Sequence, residues 1–178
     1  MWYTILMNIF VLDRDPKLAA QMHLDKHICK QSIEYAQLLS SAHHAWSQPD
    51  DPALVGLYKM THKNHPATIW VRSHPEHYRW LYELACATWD EYTYRYGKIH
   101  ASSRLRPALA RVPPMVGCGK ATPPPQCMPD LYKVAGNSWA ATIDAYRQYY
   151  LICKRTFATW KVRPMPQWWM WHMEQQGQ

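Results

Sequence analysis

Glycine, paired cysteines and long apolar runs are what this sequence has least of. Only six glycines occur in 178 residues, and they form no phosphate-binding loop or dinucleotide fingerprint, which disfavours enzymes that use a nucleotide cofactor. The five cysteines are scattered without a CxxC pair. This pattern favours reduced thiols over a disulfide scaffold or a cysteine zinc site. The apolar stretch 5–12 is too short for a signal peptide or a membrane span. We therefore expect a soluble, cytoplasmic protein with no cofactor and no membrane partner.

Acidic residues are also few. Thirteen Asp and Glu stand against twenty Lys and Arg, which gives a net charge of +7 and a pI near 9.2. The aromatic residues are ten Trp and twelve Tyr against two Phe, side chains that pack through an apolar body and hydrogen-bond through a polar edge. The charge predicts an anionic partner, nucleic acid first. The length suits one compact domain over residues 1–178.

The strongest helical pattern runs from Asp15 to Ala45, which we interpret as one long helix. Asp15 can cap the first free amides, and Pro16 fits the first helical position without losing a hydrogen bond. Apolar residues recur at near-helical intervals and predict a face that docks in a core. These residues are Leu18, Ala20, Met22, Leu24, Ile28, Ile33, Leu38 and Leu39.

A polar seam runs along the same stretch. Its members follow one another by alternating steps of four and three, so they lie on one helix face. They are His23, His27, Lys30, Glu34, Gln37 and Ser41. Histidines are unusual on a merely solvated face, so we predict that the seam lines a site. The catalytic candidates are His23, Asp25, Lys26, His27, Lys30 and Glu34.

Lys30 stands one helical turn from both His27 and Glu34. A partly buried lysine can lose its proton and act as a nucleophile, or stay charged and hold a phosphate. Glu34 is suited to steady a cationic intermediate or to activate water. The simpler interpretation is an ordinary Lys–Glu pair, worth about 0.2–0.5 kcal/mol. The histidines on the same face favour the functional interpretation.

The rest of the chain predicts a mainly α fold. Residues 1–12 are β-prone and favour a short N-terminal strand or extended arm over the core, with Met7 as an alternative start. Pro66 predicts a short helix, 67–72, capped by Asn64. A long helix is expected to begin at Ser73-His74-Pro75 and to end before Gly97.

The C-terminal half begins with the proline-rich stretch 101–136, which cannot form a long regular element. We expect it to be a lid or wrap, or alternatively a mobile linker. A last helix is predicted over 137–160. Arg147, Lys154 and Lys161 follow it at intervals of seven and predict a basic stripe. The aromatic tail is expected to pack back on the body.

Three further groups of residues suit substrate binding. The motif THKNHP places histidines at a loop-to-helix junction, and YRYGKIH interleaves basic residues with tyrosines, which suits stacking on bases beside phosphate contacts. The amide of Gln126 is of a type that can read a base edge. Ordinary helix capping and a charged helix end are the simpler interpretations. The binding candidates are His62, Asn64, His65, Arg72, Arg95, Lys98, His100, Gln126 and Lys154.

His23 and His27 have the spacing that can grip a metal from one helix, with His62 and His65 as further ligands. Two features oppose a metal. Leu24 stands where zinc proteases carry glutamate, and neighbouring lysines would repel a cation. We therefore predict no metal site.

Much of residues 7–160 resembles a family of small, mostly uncharacterised proteins of tailed bacteriophages. The matching text is MNIFVLDRDPKLAAQMHLDKHICK, YKMTHKNHPATIWVR, EYTYRYGKIHASS, PPPQCMPDLYK and AYRQYYLICKRTFATW. In addition, LAAQMHLDKHICKQSIEYAQLL is similar to the first helix of phage pyrimidine-dimer DNA glycosylases. Those enzymes are small, basic and all-α, and they flip a nucleotide out of the duplex and form an imine through their own N-terminal amine.

That resemblance implies DNA as the partner and an infected host cell as the location. The chain departs from it at its start, because Met1-Trp2 or Met7-Asn8 should keep the methionine in place. If lyase chemistry occurs, a lysine such as Lys30 or Lys26 would have to carry the nucleophile. Base modification is the variant of the same hypothesis, since phage enzymes that modify DNA bases also include helical, glycosylase-like proteins.

Our first hypothesis is therefore an enzyme that acts on a base in DNA, by excision or modification. The alternative is a non-enzymatic nucleic-acid-binding or host-interaction protein that uses the basic stripe. A histidine-metal nucleotide hydrolase is the third interpretation.

Overall fold

A computed structural model describes residues 7–116 and 118–176 of the chain. They form seven α-helices joined by irregular segments and short 3-10 turns. The helices are α1 (Pro16–Met22), α2 (Asp25–Trp46), α3 (Pro66–Val71), α4 (Pro75–Tyr96), α5 (Arg106–Leu109), α6 (Trp139–Cys153) and α7 (Gln167–Gln176). Within those two described ranges there is no strand. The prediction of a mainly α fold is confirmed.

The long helices α2 and α4 form the centre of the fold and pack along one another, and α1 also packs on α4. Their contact is apolar and aromatic, and Tyr35, Leu38, Leu81 and Trp89 are fully or almost fully buried in it. The Trp89 indole also donates to the Ser32 carbonyl at 2.9 Å, so the one polar atom of this large side chain keeps a partner.

The predicted single helix from Asp15 to Ala45 is wrong, because the chain breaks at His23 and Leu24. Both residues have extended backbone angles, with ψ of 134° and 158°. The break also turns part of the expected apolar stripe outwards, and Leu18 and Ile33 are more than 40% exposed. No proline or glycine marks this position, so the cause lies elsewhere in the chain.

That cause is the guanidinium of Arg95 on α4, whose side chain is fully buried. It donates to the carbonyl oxygens of Gln21 and His23, each at 2.8 Å, which lie at the end of α1. It also pairs with Asp25 at 3.1 Å and with Glu91 at 3.0 Å. In a continuing helix, backbone N–H groups of the next turn would bond the carbonyl oxygens of Gln21 and His23. Here the guanidinium of Arg95 takes their place. Arg95, predicted from the sequence to bind substrate, is therefore part of a buried network with Asp25 and Glu91.

Local capping signals agree with the structure. Asp15 accepts from the amides of Lys17 and Leu18 at 2.7 and 3.2 Å, and Gly97 ends α4 in the left-handed conformation with φ of 63°. The prediction that Asn64 caps α3 is wrong. The side chain of His65 accepts from the Ala67 amide at 3.2 Å and caps the helix.

Residues 7–12 are buried and have no regular secondary structure. The predicted strand is therefore wrong for these residues, and the alternative of an arm against the core is confirmed. Residues 1–6 of the prediction lie outside the described part of the chain. Asn8 fastens this arm. Its amide nitrogen donates to the Cys127 carbonyl at 2.9 Å, and its oxygen accepts from the Tyr146 hydroxyl at 2.6 Å.

The proline-rich stretch behaves as a wrap where it is described. The Thr122 amide donates to His77 at 2.7 Å, and its carbonyl accepts from the Trp70 indole at 3.1 Å. Met128 is buried in the core. These bonds fasten the stretch to α3 and α4 on one side, while the bonds of Asn8 fasten it to the arm.

The last predicted helix is too long, because α6 ends at Cys153. Lys161 lies beyond it with φ of 44°, so the predicted stripe is not one helix face. The Arg147 side chain is also engaged within the fold, since its Nε donates to the Leu12 carbonyl at 2.9 Å. The tail does pack back as α7, with Trp169 buried.

All five cysteines are free thiols. Among the described residues, none of the helices has the length and apolar character needed to cross a membrane.

We expect Arg95→Ala to lower the free energy of unfolding by about 3–5 kcal/mol, because it leaves the buried carboxylate of Asp25 without its partner and removes one of the two arginines paired with Glu91. Urea denaturation followed by circular dichroism measures the change. Arg79→Ala is the matched control, since Arg79 is an exposed arginine on the same helix and should change stability by about 0.5 kcal/mol or less. Equal effects of the two substitutions would contradict the structural role of Arg95.

Candidate functional site

A cavity of ≈ 510 Å³ lies between the N-terminal arm, α2, the start of α3, the proline-rich wrap and the end of α6. We call it the α2–α6 pocket. Its lining residues are Asn8, Phe10, His27, Lys30, His65, Pro66, Gln126, Cys127, Met128, Pro129, Lys133, Tyr149 and Lys154. It gathers five of the residues predicted from the sequence, which are His27, Lys30, His65, Gln126 and Lys154.

The α2 wall carries the middle of the predicted polar seam. Lys30 is held by Glu34 at 3.0 Å, one turn further along the helix. Glu34 itself is nearly buried and does not line the pocket. Its second oxygen accepts from the Gln31 amide at 2.9 Å and from the Asn8 backbone N–H at 3.4 Å. The carboxylate therefore joins the lysine of the wall to the arm behind it.

His27 presents a hydrogen-bond donor to the pocket. Its Nδ1 lies 2.6 Å from the hydroxyl of Tyr150, a fully buried phenol with no other hydrogen-bond acceptor among the described residues. The phenol must therefore donate to Nδ1, which leaves the proton of the neutral imidazole on Nε2. Burial lowers the pKa of His27 well below its usual value, and the charges of Lys154 and Lys30 lower it further. The ring is neutral at pH 7.

His65 is arranged in the same way. Its Nδ1 accepts a hydrogen bond from the backbone N–H of Ala67 and so caps α3. The proton of its neutral ring therefore also lies on Nε2. Burial lowers the pKa of this ring as well, with His62 contributing in the same direction. Two neutral histidines therefore line the pocket, each with its proton on Nε2.

Aromatic rings form two further parts of the wall. The ring of Phe10 stacks on His27 at 4.1 Å and is nearly parallel to the ring of Tyr149, with an interplanar angle of 7° and 6.5 Å between centroids. Parallel aromatic faces of this kind are surfaces on which a nucleic-acid base can stack.

The charge of the lining has one sign. Lys30, Lys133 and Lys154 contribute three cations, and no carboxylate belongs to the lining residues that the structure describes. With the two Nε2–H groups, the pocket offers donors and aromatic faces. Such a site suits a ligand rich in acceptors, such as base carbonyls or phosphate oxygens.

Two predicted catalytic residues lie at the α1–α2 junction instead of in the pocket. His23 is fully buried, with Nδ1 2.6 Å from the Ala19 carbonyl and Nε2 2.7 Å from the Tyr35 hydroxyl. Burial lowers its pKa to about 4. Asp25 is the buried partner of Arg95. Both residues hold the shape of the junction from which α2 begins.

The other predicted residues also lie away from the pocket lining. Lys26 is exposed, 4.7 Å above the ring of Phe157, and His100 accepts the Ser102 amide at the start of a 3-10 turn. Gln126 lines the pocket, but both ends of its amide bond the backbone of Val134 at 2.8 Å. The predicted residues that do not line the pocket are His23, Asp25, Lys26, Glu34, His62, Asn64, Arg72, Arg95, Lys98 and His100.

Sequence reasoning missed Asn8, Phe10, Lys133 and Tyr149 as parts of the site. Asn8 carries a readable signal, because a polar residue inside the apolar run MNIFVL must find buried partners. No comparable local signal marks Lys133 or Tyr149, which reach the pocket only through the tertiary fold. In the described residues, no group of three or more His, Cys, Asp or Glu side chains is arranged to hold a metal ion.

The site is thus a basic pocket with aromatic walls in a helical protein. A family model described as pyrimidine dimer DNA glycosylase matches residues 7–104, more than half of the chain. The chain belongs to this family, which confirms the resemblance drawn from the first helix. Searches of curated proteins and of solved structures found no match.

Stability should fall in acid, because His23 is buried in its neutral form. Its folded pKa is about 4 against 6.5 for the free side chain, so the unfolded chain binds the extra proton between these values. The contribution of His23 to the free energy of unfolding is therefore fully present above pH 6.5. It is lost as the pH falls towards 4, which lowers the stability by about 3 kcal/mol. Urea denaturation at a series of pH values measures the decline.

His23→Gln is the matched variant, because glutamine can bond both partners and does not titrate. The decline between pH 6.5 and 4 should be shallower in this variant by up to about 1.4 kcal/mol per pH unit. Parallel curves for the two proteins would refute the assignment of a neutral, buried His23.

Proposed function

We propose that this chain acts on a base in DNA at the α2–α6 pocket, by glycosylase/lyase-like excision or by modification of the base. The observation that carries the proposal is the one-sided chemistry of the lining: two Nε2–H groups and three lysines, with no carboxylate among the described lining residues. Base carbonyls and backbone phosphates are the acceptors that such donors fit. Membership of the DNA glycosylase family supports DNA as the substrate.

The positions of the lining residues assign them different roles. A base turned out of the duplex would stack on Phe10 and Tyr149, and the Nε2–H groups of His27 and His65 would donate to its carbonyl oxygens. Lys30, oriented by Glu34 at 3.0 Å, would place a fixed cation beside phosphate or departing charge.

Excision and modification differ in the need for an amine. An imine mechanism requires an unprotonated amine close to the sugar, whereas transfer to a base does not. Lys26, one of the two nucleophiles expected from the sequence, is outside the pocket lining, while Lys30 lines it. Both outcomes use the same donors to hold the base.

We expect Glu34→Gln to slow turnover by on the order of 10²-fold, since Lys30 loses the carboxylate that orients it and a misplacement of about 1 Å can cost that much, with little loss of stability because glutamine has the same shape. Duplexes that carry a pyrimidine dimer or a modified pyrimidine serve as substrates, and strand scission or a change in base mass is the measurement. Lys59→Met, which alters an exposed lysine outside the pocket, is the control for loss of surface charge.

Circular dichroism and urea denaturation of the same Glu34 variant test the competing interpretation. A variant that unfolds would indicate that the Lys30–Glu34 pair is structural. A folded variant with full activity would remove Glu34 from the mechanism. Wild-type protein that binds no duplex at low salt would overturn the proposal of DNA as the substrate.

A further inference from the structure

Two lysines of the α2–α6 pocket, Lys133 and Lys154, lie outside the family-matched residues 7–104, and Lys154 is the one that contacts Tyr149 of the aromatic wall. It directly follows α6, and its side chain is roughly half-buried. Its Nζ lies 4.7 Å from the centre of the Tyr149 ring and 3.4 Å from the Tyr149 hydroxyl. The ammonium group therefore lies against the Tyr149 ring of the aromatic wall.

The three pocket lysines differ in their counterions. Lys30 is paired with Glu34 at 3.0 Å, and Lys133 is paired with Asp130 at 2.7 Å. Lys154 forms no ion pair with any carboxylate in the described parts of the chain. A lysine held in a carboxylate ion pair keeps its proton, and only a free amine can attack carbon. Lys154 is thus the pocket lysine best placed to lose its proton.

The electrostatic surroundings of Lys154 favour the same conclusion. Burial is the main cause that lowers the pKa of its ammonium group, and the positive charge of Lys30 adds to the effect, while the Cys153 thiol acts in the opposite direction. Further titratable groups of the pocket are His27, which is neutral, the Tyr149 phenol and Lys133. Two cations that share a desolvated site form a known arrangement for activating an amine.

We propose that the Nζ of Lys154 is the amine that forms a covalent imine with C1′ of the deoxyribose of the flipped nucleotide. This inference rests on the proposed function and gives its excision branch a nucleophile. The Nζ lone pair forms a bond to C1′, and the bond from C1′ to the base breaks with its electron pair leaving on the base. The proton that Nζ releases balances the proton that the base takes up.

Ring opening completes the step. The nitrogen lone pair forms the C=N bond as the bond from C1′ to O4′ breaks, and O4′ keeps that electron pair and takes a proton from water. The product is a protonated imine between Lys154 and the opened sugar. Borohydride adds hydride to its carbon and converts it into a stable secondary amine, which makes the intermediate detectable.

The experiment is borohydride trapping of the full-length protein on duplexes that carry a pyrimidine dimer or an abasic site. We expect wild type to give a covalent protein–DNA band, and Lys154→Arg, which keeps the charge but cannot form the imine, to lose that band. Lys154→Met provides a second variant, and Lys59→Met controls for the loss of one lysine. Mass spectrometry of the digested adduct should place the sugar on the peptide that contains Lys154.

Three outcomes overturn the inference while leaving the proposed function standing. They are a trapped band that persists in folded Lys154→Arg, an adduct on another amine, and salt-sensitive DNA binding by wild type with no band on either duplex. Wild type that neither binds DNA nor traps would overturn both proposals. Circular dichroism confirms that each variant is folded before trapping is compared.

The pH dependence of trapping separates a nucleophile from a residue that only shapes the pocket. Lys30→Met removes the neighbouring cation and so raises the pKa of Lys154. The rise of trapping with pH should then move to higher pH, with less adduct at pH 7 and recovery in alkali. An unshifted profile would contradict the role of Lys154 as the attacking amine.

Discussion

The fold depends on one buried guanidinium. Arg95 brings α4 to the point where α1 ends and α2 begins, and it satisfies two backbone carbonyls and two carboxylates there. A fully desolvated arginine is tolerable only when its N–H groups are paired, so the junction and the arginine require each other. Glu91 extends the same network to Arg163 in the segment before α7, which ties the C-terminal part to the centre.

The direction of α2 follows from that junction. Because α2 restarts at Asp25, it carries His27 and Lys30 along one wall of the pocket, while His23 stays behind in the core. Burial then determines the chemistry. A buried phenol fixes the tautomer of His27 and a helix cap fixes that of His65, so the wall presents N–H groups. The interactions that hold the fold thus also assign the donors.

Local signals predicted several helix ends and five of the thirteen residues that line the pocket. Asp15-Pro16 and Gly97 mark helix ends through their own side chains or backbone freedom, which makes them readable without a structure. The break at His23 could not be read, because its cause is an arginine more than seventy positions away. The spacing of His27 and Lys30 revealed the α2 wall. Lys133 and Tyr149 reach the pocket from segments whose placement depends on the wrap.

The two sides of the pocket therefore have different origins in the chain. The family-matched residues supply Phe10, His27, Lys30 and His65, whereas the segments beyond residue 104 supply the opposite wall, with Tyr149 and Lys154. A donor set that holds a base needs only the first side. In the proposed mechanism the attacking amine must lose its proton, and Lys154 on the second side is suited to do so, because the neighbouring carboxylates are already paired with Lys30 and Lys133. In the proposed mechanism the base is held from both sides, by the histidines of the first and by Tyr149 of the second, whereas the attacking amine comes from the second side alone.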